Sequence, residues 1–289
     1  MDFAELAKPR IATLVLVTVA VGALVASAGH PDLFVLLHTL CGTALVAASA
    51  SAGNQWLERA ADARMQRTAN RPLPAGRLSD AEVIAFAGVT LLLGLIQLGW
   101  MVGLTTLLLG AATWVLYVAI YTPLKSRTAF NTVVGAVAGA LPVLLGWSAT
   151  GERFTLAAWA LVTVVYLWQF PHFMAIAWIY RRQYEAAGMR MLPVVDPSGR
   201  RAGIQAVFAA LTLVPVSLSL CLDGVVAGGG LSTALFAGAA LVLGLLYAGA
   251  SVAFWQKLHE QSARRLLRVS LVHLPVLMTA LLLATYLRA

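Results

Sequence analysis

Charge is what this chain lacks most. Only 11% of its residues are Asp, Glu, Lys or Arg, 60% are hydrophobic, and the mean hydropathy is +0.84. A soluble domain carries about 25% charged residues, so this scarcity excludes an ordinary soluble fold and places the chain in the membrane class. Cysteine is almost missing as well. Cys41 and Cys221 lie within or at the end of apolar runs, with no CxxC and no Cys/His spacing. That excludes a disulfide framework and a structural zinc site and leaves both as packing residues. Charge is scarcest in one set of connections: Gly29–Asp32, Met101–Gly103, Gly151–Phe154 and Asp223–Gly228. Nowhere is there a polar stretch long enough to make a separate soluble domain.

What is present is a series of apolar runs of about twenty residues, the length that crosses a bilayer as a helix. They predict nine helices near 11–29, 33–53, 82–101, 104–122, 130–150, 155–179, 202–222, 229–254 and 267–287. The expected fold is therefore an all-α integral membrane protein forming a single domain over 1–289. Lys8, Arg10, the five arginines between 59 and 77, Lys125, Arg127 and the basic residues of 181–201 and 257–268 fall on one side of these spans. Only Arg153 and Arg288 fall on the other. The positive-inside rule then puts the N-terminus in the cytoplasm and the C-terminus outside, which an odd helix count also requires. The sequence pI near 10.0 is accordingly topological and implies no nucleic-acid partner. The first span, ending Ala26-Ser27-Ala28, has the outline of a signal peptide. Asp2 and Glu5 before it, and eight further spans after it, make it a retained insertion signal instead. The inner connections after helices two and six are the richest in polar residues. This suggests a duplication of helices one to four in five to eight, with both loops meeting at one cavity.

The densest polar stretch is Asn54–Arg77, NQWLERAADARMQRTANRPLPAGR, with five arginines, a glutamate and an aspartate. Asn54, Glu58 and Asp62 are spaced i, i+4, i+8. On an α-helix each step turns only about 40°, so all three share a face. The plain alternative is a solvated helix end, with pairs such as Glu58 with Arg59 or Asp62 with Gln66. The functional reading is a set of oxygen ligands followed by guanidinium forks, and a Mg²⁺-bound phosphate needs both. A second basic loop, Tyr121–Thr128, follows helix four, flanked by Tyr121 and Asn131. Topology alone accounts for its Lys125 and Arg127. In helix six, Pro171 and His172 interrupt an apolar span; such a histidine is either packed and hydrogen-bonded or a ligand.

These residues resemble the haem O synthases (protohaem IX farnesyltransferases), a branch of the UbiA superfamily of intramembrane prenyltransferases. The resemblance rests on Lys8-Pro9-Arg10, Asn54 with Asp62, MQRTANRPLPAGR at 65–77, YTPLKSRT at 121–128 with Asn131, GALPVLLGW at 139–147, WQFPHFMAIAW at 168–178 and AGMRMLPVV at 187–195. It implies nine transmembrane helices around a central cavity open to the cytoplasmic side of a bacterial inner membrane. The implied reaction is Mg²⁺-dependent transfer of a farnesyl group from farnesyl diphosphate to a vinyl group of haem b, giving haem O and diphosphate. Asn54, Glu58 and Asp62 become the expected metal and diphosphate residues. Arg67, Arg71, Lys125 and Arg127 become diphosphate contacts, with Arg181 as further neutralising charge. Tyr121, Asn131, Tyr180 and Gln183 are expected near the reacting centre, and His172 near haem. Membrane partners of haem A/O biosynthesis are implied only through the family.

The sequence departs from the family pattern at three positions. Glu58 and Ala60 stand where aspartates are common, and Gln183 replaces an aspartate of the second motif. Position 60 turns away from the Asn54–Asp62 face, whereas Gln183 puts a second metal in doubt. Two other readings stay open: a UbiA-type prenyltransferase with an aromatic or quinone-precursor acceptor, and a non-catalytic haem-binding membrane scaffold.

Overall fold

A computed structural model of the chain describes residues 2–222 and 230–287; Arg288 and the Asp223–Gly228 connection lie outside them. Every regular element among the described residues is helical. In hydrocarbon no water satisfies backbone N–H and C=O groups, so an apolar chain pairs them internally, as a helix does. The elements are α1 (Asp2–Ala7), α2 (Pro9–Ala26), α3 (Leu33–Asp62), α4 (Asp80–Met101) and α5 (Leu104–Trp114), which runs into a π-helical segment (Val115–Tyr121) and a last turn, α6 (Thr122–Leu124). They continue with α7 (Asn131–Ala149), α8 (Leu156–Ile179), α9 (Arg181–Ala186), α10 (Leu192–Val195), α11 (Arg200–Ser219), α12 (Leu231–Lys257) and α13 (Glu260–Tyr286). Nine of these stretches are long and apolar enough to cross a membrane, with α5, the π segment and α6 forming one of them.

The expected spans are present, with edges moved for identifiable reasons. Helix two runs to Asp62 instead of stopping at 53. Its 30 residues span about 45 Å against a hydrocarbon core of about 30 Å, so its last turns project beyond the apolar layer. Helix nine starts at Glu260 instead of 267, because His259 caps it by accepting from Ser262 N at 3.1 Å. Arg264, Arg265 and Arg268 therefore lie on that helix and not on a loop. Ser79 and Glu82 form a reciprocal capping box that starts α4.

The chain packs as two units. The first comprises Met1–Ala23, Asp32–Gly151 and Arg182–Met191; the second comprises Leu24–Pro31, Glu152–Arg181 and Leu192–Ala289. By contacts, helix five packs with helices one to four. In the first unit Val19, Val46, Leu98 and Leu145 form one core cluster, and Leu6, Ala52, Leu78 and Val83 form another. Helices α2 and α7 cross so closely that a Cβ on Gly146 would stand 1.8 Å from the Val19 carbonyl oxygen. In the second unit α8, α11, α12 and α13 bury Leu213, Tyr247, Phe254 and Leu266. There Tyr247 donates to the Trp168 carbonyl at 2.8 Å.

Candidate active site

The extension of α3 carries Asn54, Glu58 and Asp62 on one face, and all three are buried. They line a cavity of about 310 Å³ within the first unit, together with Lys8, Arg67, Arg71, Tyr117, Tyr121, Lys125 and Tyr184. Four cationic side chains thus face two carboxylates. Neither acidic residue forms the helix-surface pair considered from spacing. Glu58 Oε1 has the Lys125 ammonium at 2.8 Å, and Asp62 Oδ2 accepts from Arg71 at 2.6 Å. Arg59 instead reaches Asp80 at 3.3 Å. Ala60 is exposed, as its position on the helix requires.

Asn54 is fixed at both ends of its amide. Its Nδ2 donates to Thr122 Oγ1 at 3.0 Å, and its Oδ1 accepts from Lys8 Nζ at 3.4 Å. Thr122 in turn donates to the Tyr117 carbonyl at 2.8 Å, which also accepts the Thr122 amide across the π-helical turn. That wider turn presents both Tyr117 and Tyr121 to the cavity, with ring centroids 5.4 Å apart. The Lys125 ammonium lies 4.6 Å from the Tyr121 centroid. Burial drives the Lys8 ammonium pKa down to about 7, repulsion from Arg71 and Lys125 adding to the effect. Burial is the largest single effect on the Lys125 pKa and acts to lower it, but Glu58, Tyr121 and Tyr117 together outweigh it and the net shift is upward.

The polar loops after helices two and six meet at this cavity, as repeat-like spacing suggested. Arg67 donates through its side chain to Tyr184 Oη at 3.1 Å, and its backbone amide donates to Gln183 Oε1 at 3.2 Å. Gln183 thus ties the two loops together. Asn131 is buried, and its Nδ2 donates to the carbonyls of Thr128 (2.7 Å) and Arg190 (3.3 Å). It braces the loop and does not line the cavity. Arg127 is exposed and offers its carbonyl to Arg190. Tyr180, Arg181 and His172 belong to the second unit. There Arg181 turns back to the Trp178 carbonyl at 2.7 Å, while His172 stacks on Trp168 and pairs with Ser270 Oγ at 2.8 Å.

Sequence reasoning did not single out Lys8, Tyr117, Thr122 or Tyr184 as site residues. Tyr117 lies four residues before Tyr121, which was a usable signal. Lys8 stood out as a basic residue ahead of a span and as part of the Lys8-Pro9-Arg10 stretch, with no role attached to it.

The donor set suits a hard divalent cation. Asp62 Oδ1 is buried without a hydrogen-bond partner, and Glu58 Oε1, despite the nearby ammonium, lacks a hydrogen bond of good geometry. No three His, Cys, Asp or Glu side chains among the described residues are grouped to hold a metal alone. Two carboxylates completed by substrate phosphate oxygens are a usual arrangement for Mg²⁺.

Among the described residues, nine helices long and apolar enough to cross a membrane, with a buried cavity that pairs carboxylates with cations, have the make-up of a membrane enzyme. The sequence profile of the UbiA prenyltransferase family matches residues 15–274, and the chain belongs to that family. The protoheme IX farnesyltransferase of Solibacter usitatus is 41% identical over 296 residues, covering 98% of each chain. That of Rhodopirellula baltica is 44% identical over 291 residues, covering 99% of each. Among solved structures, a digeranylgeranylglyceryl phosphate synthase superposes with a TM-score of 0.81 at 15% identity, covering 99% of this chain and 98% of that one. A UbiA homolog from Archaeoglobus fulgidus bound to DMAPP and Mg²⁺ gives 0.74 at 17%, covering 97% and 99%. At such identities the structural likeness is one of fold.

Proposed function

We propose that this chain is a Mg²⁺-dependent farnesyltransferase of a bacterial inner membrane. In this reading it moves the farnesyl group of farnesyl diphosphate to a vinyl carbon of haem b, giving haem O and diphosphate, with its cavity open to the cytoplasm. The observation that carries the reading is the buried Glu58–Asp62 pair, each carboxylate opposed by one cation and Asp62 keeping an unpartnered oxygen. The names of the relatives supply the acceptor.

Breaking an allylic C–O bond separates a delocalised cation from a strongly anionic leaving group, and the site contains a counterpart for each. Glu58 and Asp62 would hold Mg²⁺, which supplies Lewis-acid neutralisation of the leaving diphosphate. Arg71 and Lys125 stand where that charge develops, already oriented by their carboxylates, so little reorganisation is needed at the moment of cleavage. Asn54, fixed by Thr122 and Lys8, keeps the shared helix face in register. Tyr117 and Tyr121 offer π-faces to the allylic cation. Attack by the vinyl group forms the C–C bond and leaves a cation beside the porphyrin, and capture of water with loss of its proton gives the hydroxyl of haem O.

The test is purified protein supplied with farnesyl diphosphate, Mg²⁺ and either haem b or 4-hydroxybenzoate, with products read by mass. Haem O should form only with haem b and only without excess EDTA. Asp62→Asn should lower the rate by about 10²-fold or more, the scale for losing a group that stabilises developing charge. No haem O from the wild type, or a fully active Asp62→Asn, would overturn the reading.

A further inference from the structure

Two of the cavity's cations are already neutralised from within, since Lys125 faces Glu58 at 2.8 Å and Arg71 faces Asp62 at 2.6 Å. An entering anion meets these two only in competition with a carboxylate. Lys8 differs. Its Nζ approaches a neutral amide oxygen, that of Asn54, at 3.4 Å, and no carboxylate among the described residues lies within ion-pair distance of it.

The segment that carries Lys8 is anchored on both sides. The Leu6 side chain is fully buried, and its carbonyl accepts from Ser51 Oγ and Gln55 Nε2, each at 2.8 Å. Arg77 binds both Asp2 and Glu5 across the outer surface of α1. Pro9 opens α2 immediately afterwards. Between these anchors Lys8 has φ +49°, the left-handed region, which crowds the Cβ of an L-residue against its own backbone. A backbone held in that conformation, with a half-buried ammonium set among other cations, indicates a use for the charge at that point.

We propose that Lys8 is a binding residue for the diphosphate of the prenyl donor, a cation that meets the ligand without first giving up a carboxylate, and that α1 exists to present it. This rests on the reading of the cavity as a prenyl diphosphate site. An anion entering there gains a new charge-assisted contact and relieves the mutual repulsion of Lys8, Arg71 and Lys125. Helix α1 thereby becomes part of the active site, although it is too short to cross a membrane and its own residues other than Leu6 are not buried.

The experiment uses the full chain in detergent and inorganic pyrophosphate with Mg²⁺ as the probe, titrated by calorimetry. Lys8→Met should weaken pyrophosphate binding by about tenfold or more, the scale for losing a hydrogen bond to a charged group. Lys8→Arg should stay within about threefold of wild type, because the charge is kept. Haem affinity, followed by absorbance, should be the same in all three. In parallel, wild-type protein is treated with acetic anhydride and the modification of Lys8 read by peptide mass; pyrophosphate should protect it. An unchanged pyrophosphate affinity in a Lys8→Met protein of normal thermal midpoint overturns the assignment. So does equal acetylation of Lys8 with and without pyrophosphate, which decides the matter if the variant fails to fold. A wild type that binds no pyrophosphate instead sinks the functional reading itself, a separate outcome.

Discussion

Glu58 and Lys125 form an ion pair whose two side chains are only 9% and 15% exposed. Removing one member of a buried pair strands the other, at a cost of about 3–5 kcal/mol, while removing both is far milder. Lys125→Met should therefore lower the thermal midpoint in detergent by several degrees, and Lys125→Met combined with Glu58→Gln should recover most of it. Both proteins should fail to form haem O by product mass. Equal midpoints for the single and double variants would show that the pair is not a stabilising unit. This pairing was not legible in the sequence. The i, i+4, i+8 spacing placed three ligand-type side chains on one face, but it carried no information on cations arriving from another helix. Gln183 illustrates the same limit: as a sequence letter it is a weakened ligand, and in three dimensions its oxygen holds the Arg67 amide.

Helices α2 and α7 meet through backbone. A Cβ at Gly22 would stand 2.3 Å from the Val143 carbonyl oxygen, and one at Gly146 would stand 1.8 Å from that of Val19. Small residues permit such approaches between membrane helices, where packing replaces the hydrophobic effect as the driving force. Gly146→Ala should force the helices apart and lower the thermal midpoint by an amount equivalent to about 1–3 kcal/mol or more. Gly88→Ala, in α4 with nothing within 4 Å of the added Cβ, should be neutral or slightly stabilising. Thermal unfolding of both variants in one detergent makes the comparison; similar losses would argue against the close crossing. At this scale hydropathy located the helices well, because twenty apolar residues have few alternatives. The π-helical turn escaped it, since Val115–Tyr121 reads as uninterrupted apolar helix.

Apart from Lys8, Arg10 and Arg153, the basic residues of the described chain lie on or beside the connections after even-numbered spans, and the candidate site draws on three of these, through Arg67 and Arg71, Lys125, and Tyr184. Single cysteines in a background lacking Cys41 and Cys221 test the orientation. Ser126→Cys, Ser198→Cys and Gln261→Cys should react with an impermeant maleimide only after the inner face of spheroplasts is opened. Glu152→Cys should react from outside without opening. The reverse pattern would invert the positive-inside assignment.

The crossing of α2 with α7 also has a consequence in time. Gly22 and Val143 are separated by about 120 residues, which a ribosome adding about 5–20 residues per second makes in roughly 6–24 s. Throughout that interval the first helix is already in the membrane while its partner does not yet exist. Its surface around Gly22 must meanwhile be covered by lipid tails or by the insertion machinery. The fit between the two helices is therefore a late event of biogenesis, made only once the fifth span has left the ribosome.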